Sequence, residues 1–350
     1  MKHDIYKDID QMDSLTTQQL ISIKLMQNDF RFLYTVIMNA PKINSNYITC
    51  LLPYLGLIVD GAEDWIKAFN NSHKDGFHIP TYSPDEQDFY EKMRNTIKIW
   101  NEPYEMIYAR LEQKYHESDI YFSNLCKPIA KALKLYNIYG VDIVHGKYCG
   151  NTILCSLFTP NYEFGRENGD EIKRLSGFAG YYTAFFNALQ AYSLNDMDFH
   201  TVDYGGFRKS PFGNEFSDRF VLFSLLCQVN FVLKCVIDFI ADETTTKLRF
   251  AYILYYYVTN IVPEINNKLN TEFTIDDTWH NKDFRNSMAH YKIGMVLNHS
   301  DIIPEDPFFG LVQKHFNLNY HDLKLKIVSE LMSISDQLER HLNIPSFLSI

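Results

Sequence analysis

One short segment of the sequence combines side chains that can cleave a phosphodiester without a metal ion. Residues 283–291 read DFRNSMAHY and contain Arg285, Asn286 and His290. A histidine with an ordinary pKa of about 6.5 can exchange a proton with a 2′-hydroxyl or a leaving 5′-oxygen. A guanidinium stays charged, so it can hold a phosphate and stabilise the negative charge of the phosphorane. The segment therefore predicts Arg285 and His290 as catalytic residues and Asn286 as the amide that orients them, with no cofactor and no metal ion.

The spacing of this pair constrains the geometry of such a site. Positions five apart on a regular helix diverge by about 140°, so Arg285 and His290 do not share one face. Either the segment begins outside the helix or a second copy of the chain completes the site. A purely structural alternative is also open, in which Arg285 pairs with Asp276, Asp277 or Asp283 and His290 is a hydrogen-bonded core residue.

The segment FRNSMAHY resembles the R-N-x-x-x-H signature of the HEPN family, an all-α group that contains many metal-independent ribonucleases. The apolar residue before Arg285, the polar Asn286 and the small Ala289 before His290 fit the usual pattern of that family. Two long predicted helices precede the segment and one follows it, as in a HEPN bundle of four to five helices. The resemblance extends over roughly residues 170 to 345, and its specific part is the motif itself.

The resemblance implies an endoribonuclease that cleaves RNA by attack of the 2′-hydroxyl and leaves a 2′,3′-cyclic phosphate. It also implies a homodimer in which two facing copies pool their Arg285 and His290 side chains, and a setting in toxin–antitoxin growth arrest or anti-phage defence. An antitoxin or another regulatory protein would then be a partner. Some toxins of the family carry a nucleotidylated tyrosine two residues after the histidine, where this chain has Lys292. The alternative is a non-catalytic HEPN-like module that dimerises or binds a nucleotide or a partner.

The elements that position this segment are predicted to be helices, which makes the chain all-α with room for one short β-hairpin. Ser83 and Pro84 form a strong helix start, because a serine can cap the helix and proline suits its first position. Helical patterns cover residues 15–38, 83–116 with a break near Pro103, 120–136, 169–192, 219–241, 244–269, 276–297 and 321–342. Glycines and β-branched residues between 140 and 167 indicate the hairpin. We therefore predict a helical region at 1–140, a linker or hairpin at 141–168 and a HEPN-like bundle at 169–350.

Composition excludes several classes of protein. Of the 350 residues, 46% are hydrophobic and 22% are charged, which is typical of a globular chain rather than a disordered one. The net charge of −10 excludes loose, non-specific binding of nucleic acid by bulk charge. RNA would have to be held in a local cleft, such as one lined by two copies of Arg285.

The sequence also predicts a cytoplasmic location. Its first twenty residues contain no apolar stretch like that of a secretory signal. The apolar residues 221–240 are interrupted by Gln228, Asn230, Lys234 and Asp238, which favours a buried core helix over a membrane span. Six cysteines occur without a CxxC pair, as expected of a reduced protein without a zinc site.

Two other groups of polar residues lie on predicted helices. Arg110 and His116 repeat the arginine–histidine spacing, but their polar surroundings are typical of a solvated helix face. Asp60, Glu63 and Asp64 fall within one helical turn, and we interpret them as a solvated face in preference to a magnesium site.

Two further groups lie in predicted loops. His73, Asp75 and His78 lack the helical spacing and carboxylate partner of a metal site. Residues 205–210 read GGFRKS, which lacks the order of a phosphate-binding loop. Arg208 and Lys209 could still add positive charge beside the cleft.

Overall fold

The computed structural model describes residues 15–39, 45–72, 78–157, 180–206, 215–291 and 296–344, together with 177, 210 and 212. In these residues the chain is mostly helical, with one small antiparallel sheet of three strands. This confirms the prediction of a largely helical protein with a short hairpin.

Four long helices form the first part of the chain. They are α1 (Thr17–Asn39), α2 (Ser45–Ser72), α3 (Pro84–Thr96) and α4 (Tyr104–Asn124). Helix α3 begins at the predicted start, where the backbone N–H of Gln87 donates to the carbonyl of Ser83 over 3.0 Å. The predicted helix over 83–116 is interrupted by a 3₁₀ turn at Ile99–Asn101 and by Pro103, whose ring cannot continue a helix.

The predicted helix over 120–136 is wrong beyond Asn124. Only the single turn α5 (Pro128–Ala132) follows, and it ends near Lys134, which has a φ of 52°. Ile129 and Leu133 supply the apolar spacing that suggested a longer helix, yet their side chains are 75% and 63% exposed. These apolar residues therefore have the spacing of a helix, but their side chains do not pack against the core.

The sheet contains the predicted hairpin and one unexpected strand. Strands β1 (Asn137–Val144) and β2 (Lys147–Asn151) are joined by His145 and Gly146, both with positive φ, as a two-residue hairpin turn requires. Strand β3 (Phe199–Gly205) pairs antiparallel with the other edge of β1 and gives the order β2-β1-β3. The segment 193–218, predicted as a loop, therefore includes a strand. The short helix α6 (Thr152–Ser156) follows β2 directly.

The remaining helices carry most of the deeply buried side chains. Helix α7 (Asp218–Asn230) continues as a π-helical segment, Phe231–Asp238, and is followed by α8 (Thr245–Leu269), α9 (Lys282–His290), α10 (Leu311–Phe316) and α11 (Tyr320–Leu342). The segment Asp218–Asp238 is long and apolar enough to cross a membrane, but 89% of its most apolar window is buried in the protein. This agrees with the predicted core helix.

Two other helical predictions hold only in part. In the region 276–297, α9 and residue 296 are helical among the described residues, and 292–295 lie outside them. Of the predicted helix over 169–192, residues 177 and 180–185 are helical, 186–192 are not, and 169–176, 178 and 179 lie outside the described residues.

Helices from the first and last parts of the sequence share one core. The rings of Tyr54 on α2 and Phe250 on α8 have centroids 4.6 Å apart. The indole N–H of Trp100 donates to the side-chain carbonyl of Gln228 on α7. Helix α9 packs against both α2 and α8, so residues from both parts of the chain surround the motif. The domain boundaries at 140 and 168 stay predictions.

Candidate functional site

The RNSMAH motif lies on a single short helix whose position is set by aromatic packing. The side chain of Asn281 caps α9 by accepting the N–H of Phe284 over 2.9 Å. Phe284 is fully buried, with its ring centroid 4.5 Å from that of Tyr252. Met288 is buried on the same face, one turn later. This face anchors α9 in the core, and Arg285, Asn286 and His290 lie on the other sides of the helix.

His290 is held by one carboxylate and one guanidinium. Its Nδ1 lies 2.6 Å from Oδ2 of Asp64 on α2, and its Nε2 lies 2.5 Å from Nη2 of Arg94 on α3. An arginine can only donate, so these contacts fit a neutral imidazole with the proton on Nδ1 and a lone pair on Nε2. The side chain of His290 is 24% exposed. The ring is therefore partly accessible. Nη2 of Arg94 also lies 3.0 Å from Nδ1, so the contact that favours the proton on Nδ1 is the one with Asp64, whose carboxylate can only accept.

Arg94 is itself fixed by a buried ion pair. Its Nη1 donates to Oδ2 of Asp60 and lies 3.6 Å from Oδ2 of Asp64. The side chains of Arg94 and Asp60 are almost completely buried, and a buried charge needs such a partner because desolvation is costly. Asp60 and Asp64 are one turn apart on α2, so both face the guanidinium.

The prediction that Asp60, Glu63 and Asp64 form a solvated face is wrong. Asp60 and Glu63 are buried, and only Asp64 is partly exposed. The hydroxyl of Tyr182 donates to Oε2 of Glu63 over 3.1 Å. Burial raises the pKa of Glu63, and the hydrogen bond from Tyr182 and the charge of Lys67 oppose that rise. Among the described residues, no group of three or more histidine, cysteine or acidic side chains could hold a metal ion.

Arg285 lies on another side of α9 and does not contact His290. Its guanidinium carbon is 4.9 Å from the ring centroid of Tyr256 and 5.8 Å from that of Tyr257. Its buried Nε has no hydrogen-bond partner within the described residues. There, no ion pair joins Arg285 to Asp276, Asp277 or Asp283, the pairing that the structural alternative had suggested; the neighbouring residues 292–295 lie outside the described part.

Asn286 is partly buried, next to Arg285 on α9. In the described part of the chain its amide makes no hydrogen bond to either Arg285 or His290. The structure therefore places the three predicted residues on one helix but brings none of their polar groups together within one copy. This agrees with the divergence expected from their spacing.

Three basic side chains form a positively charged group near the motif, which we call the cationic cluster: Arg94, Lys98 and Arg285. Burial lowers the pKa of Lys98, and the positive charges of Arg94 and Arg285 lower it further. Burial raises the pKa of Tyr257, whereas the same two arginines act to lower it. Asp60 and Glu91 act in the opposite direction on Lys98, so neighbouring carboxylates offset part of the positive charge of the cationic cluster.

A buried network fixes the end of α9 behind His290. Arg249 on α8 donates through Nη1 to Asp29 on α1 and to the hydroxyl of Tyr291, and through Nε to the carbonyl of Met288. The hydroxyl of Tyr291 donates to Oδ2 of Asp29 over 2.5 Å. Tyr291 is 1% exposed, so its hydroxyl is not accessible to a modifying enzyme in this structure.

The other predicted groups contribute no second site. Arg110 is half exposed and pairs with Glu102 over 2.5 Å, and His116 is exposed on the same helix, which confirms the solvated face. His78 is exposed. The predictions on His73, Asp75, Arg208 and Lys209 lie outside the described residues.

Sequence reasoning missed three side chains beside the motif. Arg94 and Lys98 come from the first part of the chain, and Asp64 had been assigned to solvent. A signal was present, because Asp60 and Asp64 are four residues apart in the apolar stretch LIVDGAEDW. Two carboxylates on one face of a buried helix need a cationic partner.

Comparisons with protein-family models, with curated proteins and with solved structures found no match for this chain. The interpretation of the site therefore depends on its own geometry and on the motif.

Proposed function

We propose that this chain is a metal-independent endoribonuclease of the HEPN type. In this proposal His290 transfers the proton of the attacking 2′-hydroxyl or of the leaving 5′-oxygen. Arg285 holds the scissile phosphate and stabilises the transition state, and Asn286 orients the phosphate. The products are a 2′,3′-cyclic phosphate and a 5′-hydroxyl. Helices α7, α8, α9 and α11 would form the HEPN-like bundle.

The observation that carries the proposal is the carboxylate-bound, partly exposed imidazole of His290 next to the cationic cluster. With Nδ1 held by Asp64, a neutral His290 can transfer a proton through Nε2 once a substrate hydroxyl replaces Arg94 at that nitrogen. Because Asp60 balances the charge of Arg94, the charges of Lys98 and Arg285 would supply the electrostatic stabilisation that a dianionic phosphorane needs without a metal ion.

The separation of Arg285 from His290 supports a composite site. The guanidinium of Arg285 stacks beside Tyr256 and Tyr257, away from the imidazole, and makes no hydrogen bond within the described residues. In a two-fold homodimer, Arg285 of one copy can face His290 of the other. We further propose that the enzyme acts in the cytoplasm as a toxin or anti-phage effector under the control of an antitoxin or another regulatory protein.

The test is RNA cleavage by the purified full-length protein in the presence of EDTA. We expect the wild type to cleave RNA. The cleavage rates of His290→Ala and Arg285→Ala should be at least about 100-fold lower, because each variant lacks a group that acts in the transition state. Mixing the two inactive variants should restore part of the activity, since a heterodimer retains one intact composite site.

His200→Ala is the matched control. His200 is exposed and its Nε2 lies 2.8 Å from Asp198, so the change removes a histidine–aspartate pair remote from the motif sequence. Its activity should equal that of the wild type. Equal cleavage by wild type, His290→Ala and Arg285→Ala would mean a contaminating nuclease and would defeat the proposal.

A second candidate function is a non-catalytic HEPN-like module that dimerises or binds a nucleotide or partner. One observation favours it: both ring nitrogens of His290 already have partners within the chain. In that case His290→Ala would change the thermal stability or the dimer affinity, and no preparation would cleave RNA in EDTA.

A further inference from the structure

Asp64 and Arg94 hold His290 from two helices that the sequence motif does not include. Asp64 is 226 positions from His290 in the sequence and Arg94 is 196 positions away. Asp64 contacts Nδ1 over 2.6 Å, whereas Nη2 of Arg94 lies 2.5 Å from Nε2 and 3.0 Å from Nδ1 of the same ring. The imidazole is therefore oriented by α2 and α3, although it is carried by α9.

The two aspartates of α2 have separable tasks. Asp60 is buried and its carboxylate neutralises the buried Arg94. Asp64 is 3.6 Å from Nη1 of Arg94 and much closer, at 2.6 Å, to Nδ1 of His290; its side chain is 36% exposed. Since Asp60 already balances the charge of Arg94, the structure does not need Asp64 for that ion pair. Of its contacts with Arg94 and His290, the contact of Asp64 with the histidine is the shorter.

A carboxylate on Nδ1 has a defined chemical consequence. A carboxylate can only accept a hydrogen bond, so the nitrogen that faces it must carry a proton. It therefore stabilises the Nδ1–H tautomer and leaves the lone pair on Nε2. It also stabilises the positive charge that appears on the ring when Nε2 takes a proton. Arg94 donates to that same Nε2, so a substrate hydroxyl must replace this contact before Nε2 can take its proton.

We infer that Asp64 and Arg94 are positioning residues for His290, so that the first part of the chain completes the ribonuclease site. This inference rests on the proposed function. Asp64 selects the tautomer, and Arg94, anchored by Asp60, orients the ring from the opposite nitrogen. The first 140 residues are then a structural part of the site as well as a candidate regulatory region.

The decisive variant is Asp64→Asn, which keeps the shape of the side chain but can donate to Nδ1. We expect kcat for RNA cleavage in EDTA to fall at least about 100-fold with KM nearly unchanged, as expected when a histidine adopts the wrong tautomer. Asp64→Glu keeps the carboxylate and should recover part of the lost rate. Arg94→Lys keeps a positive charge opposite Asp60 but has one terminal nitrogen in place of two, so it cannot reach Asp60 and His290 with separate nitrogens, and we expect a smaller fall of about tenfold.

Asp88→Asn is the matched control for Asp64→Asn. Asp88 pairs with Lys92 over 2.5 Å on the surface of α3, and both side chains are more than half exposed. The variant loses the same charge on the same helix as Arg94, at a residue that pairs with Lys92. Its kcat and KM should equal those of the wild type.

A spectroscopic measurement tests the inference independently of RNA cleavage. Imidazole ¹⁵N chemical shifts of histidine-labelled full-length protein at alkaline pH report the tautomer, and His290→Gln identifies the signal. We expect the Nδ1–H form in wild type, Asp88→Asn and Arg94→Lys, and the Nε2–H form in Asp64→Asn. An unchanged tautomer or a wild-type kcat in Asp64→Asn would overturn the inference. Failure of the proposed function would instead appear as wild-type protein that does not cleave RNA.

Discussion

The buried network of Asp29, Arg249 and Tyr291 allows a stability prediction whose magnitude follows from the contacts. The carboxylate of Asp29 accepts hydrogen bonds from Arg249, from the hydroxyl of Tyr291 and, over 2.7 Å, from the hydroxyl of Thr246. The side chains of Asp29 and Arg249 are 2% and 4% exposed. Asp29→Ala would leave a buried guanidinium without its counter-charge.

Breaking a buried pair by removing one partner costs about 3–5 kcal/mol, because the remaining charge stays desolvated. Unfolding entropies of roughly 2.1 cal/mol/K per residue, applied to a chain of this length, convert that cost into a fall in Tm of about 4–7 °C. Asp29→Ala combined with Arg249→Met removes both charges, so we expect it to be at least about 1 kcal/mol more stable than Asp29→Ala.

The assay is thermal unfolding followed by circular dichroism, with urea unfolding as a second measure. Asp88→Ala is the control, since it breaks an exposed ion pair and should cost less than about 1 kcal/mol. The reasoning would be refuted if Asp29→Ala cost no more than Asp88→Ala, or if the double variant were as unstable as the single one. Because Arg249 also donates to the carbonyl of Met288, destabilisation should be accompanied by loosening of α9 in hydrogen exchange.

Two further predictions concern the packing and the titration of groups near α9. Gly61→Ala should destabilise the protein by about 1–3 kcal/mol and reduce RNA cleavage, because its Cβ would lie 2.6 Å from the carbonyl oxygen of Ala289. The helical Gly180→Ala, whose Cβ would meet nothing within 4 Å, should be neutral or stabilising in the same unfolding assay. Burial lowers the pKa of His280 from its ordinary 6.5, and Arg285 lowers it further against the opposing charge of Asp277. The unfolded chain therefore binds a proton before the folded one, so this ring's contribution to stability is full above about pH 6.5 and is lost as the pH falls towards the lower folded pKa. In His280→Phe, the urea midpoint should fall less steeply as the pH is lowered from about 7 to about 5. A pH dependence equal to that of the wild type would contradict the role of His280 in this decline.

Local sequence patterns were sufficient to predict the helices that carry buried apolar faces. The capping serine and first-turn proline at Ser83 and Pro84 located the start of α3, and the apolar stretch at Asp218–Asp238 was correctly assigned to the core. Strand β3 was missed because its burial is shallow: among its residues, Tyr204 is the one with a buried side chain. Its place in the sheet depends on pairing with β1, which lies about sixty residues earlier.

By itself, the sequence placed Arg285, Asn286 and His290 in a helical region and determined that, on one regular helix, the arginine and the histidine would point in different directions. Helical geometry is local, so spacing alone decides such relations. Only the tertiary structure decided what surrounds them: Asp64 and Arg94 on the two nitrogens of His290, and Tyr256 and Tyr257 beside Arg285. Side chains about two hundred positions apart become neighbours through the packing of α2, α3 and α9, and no local pattern encodes that packing.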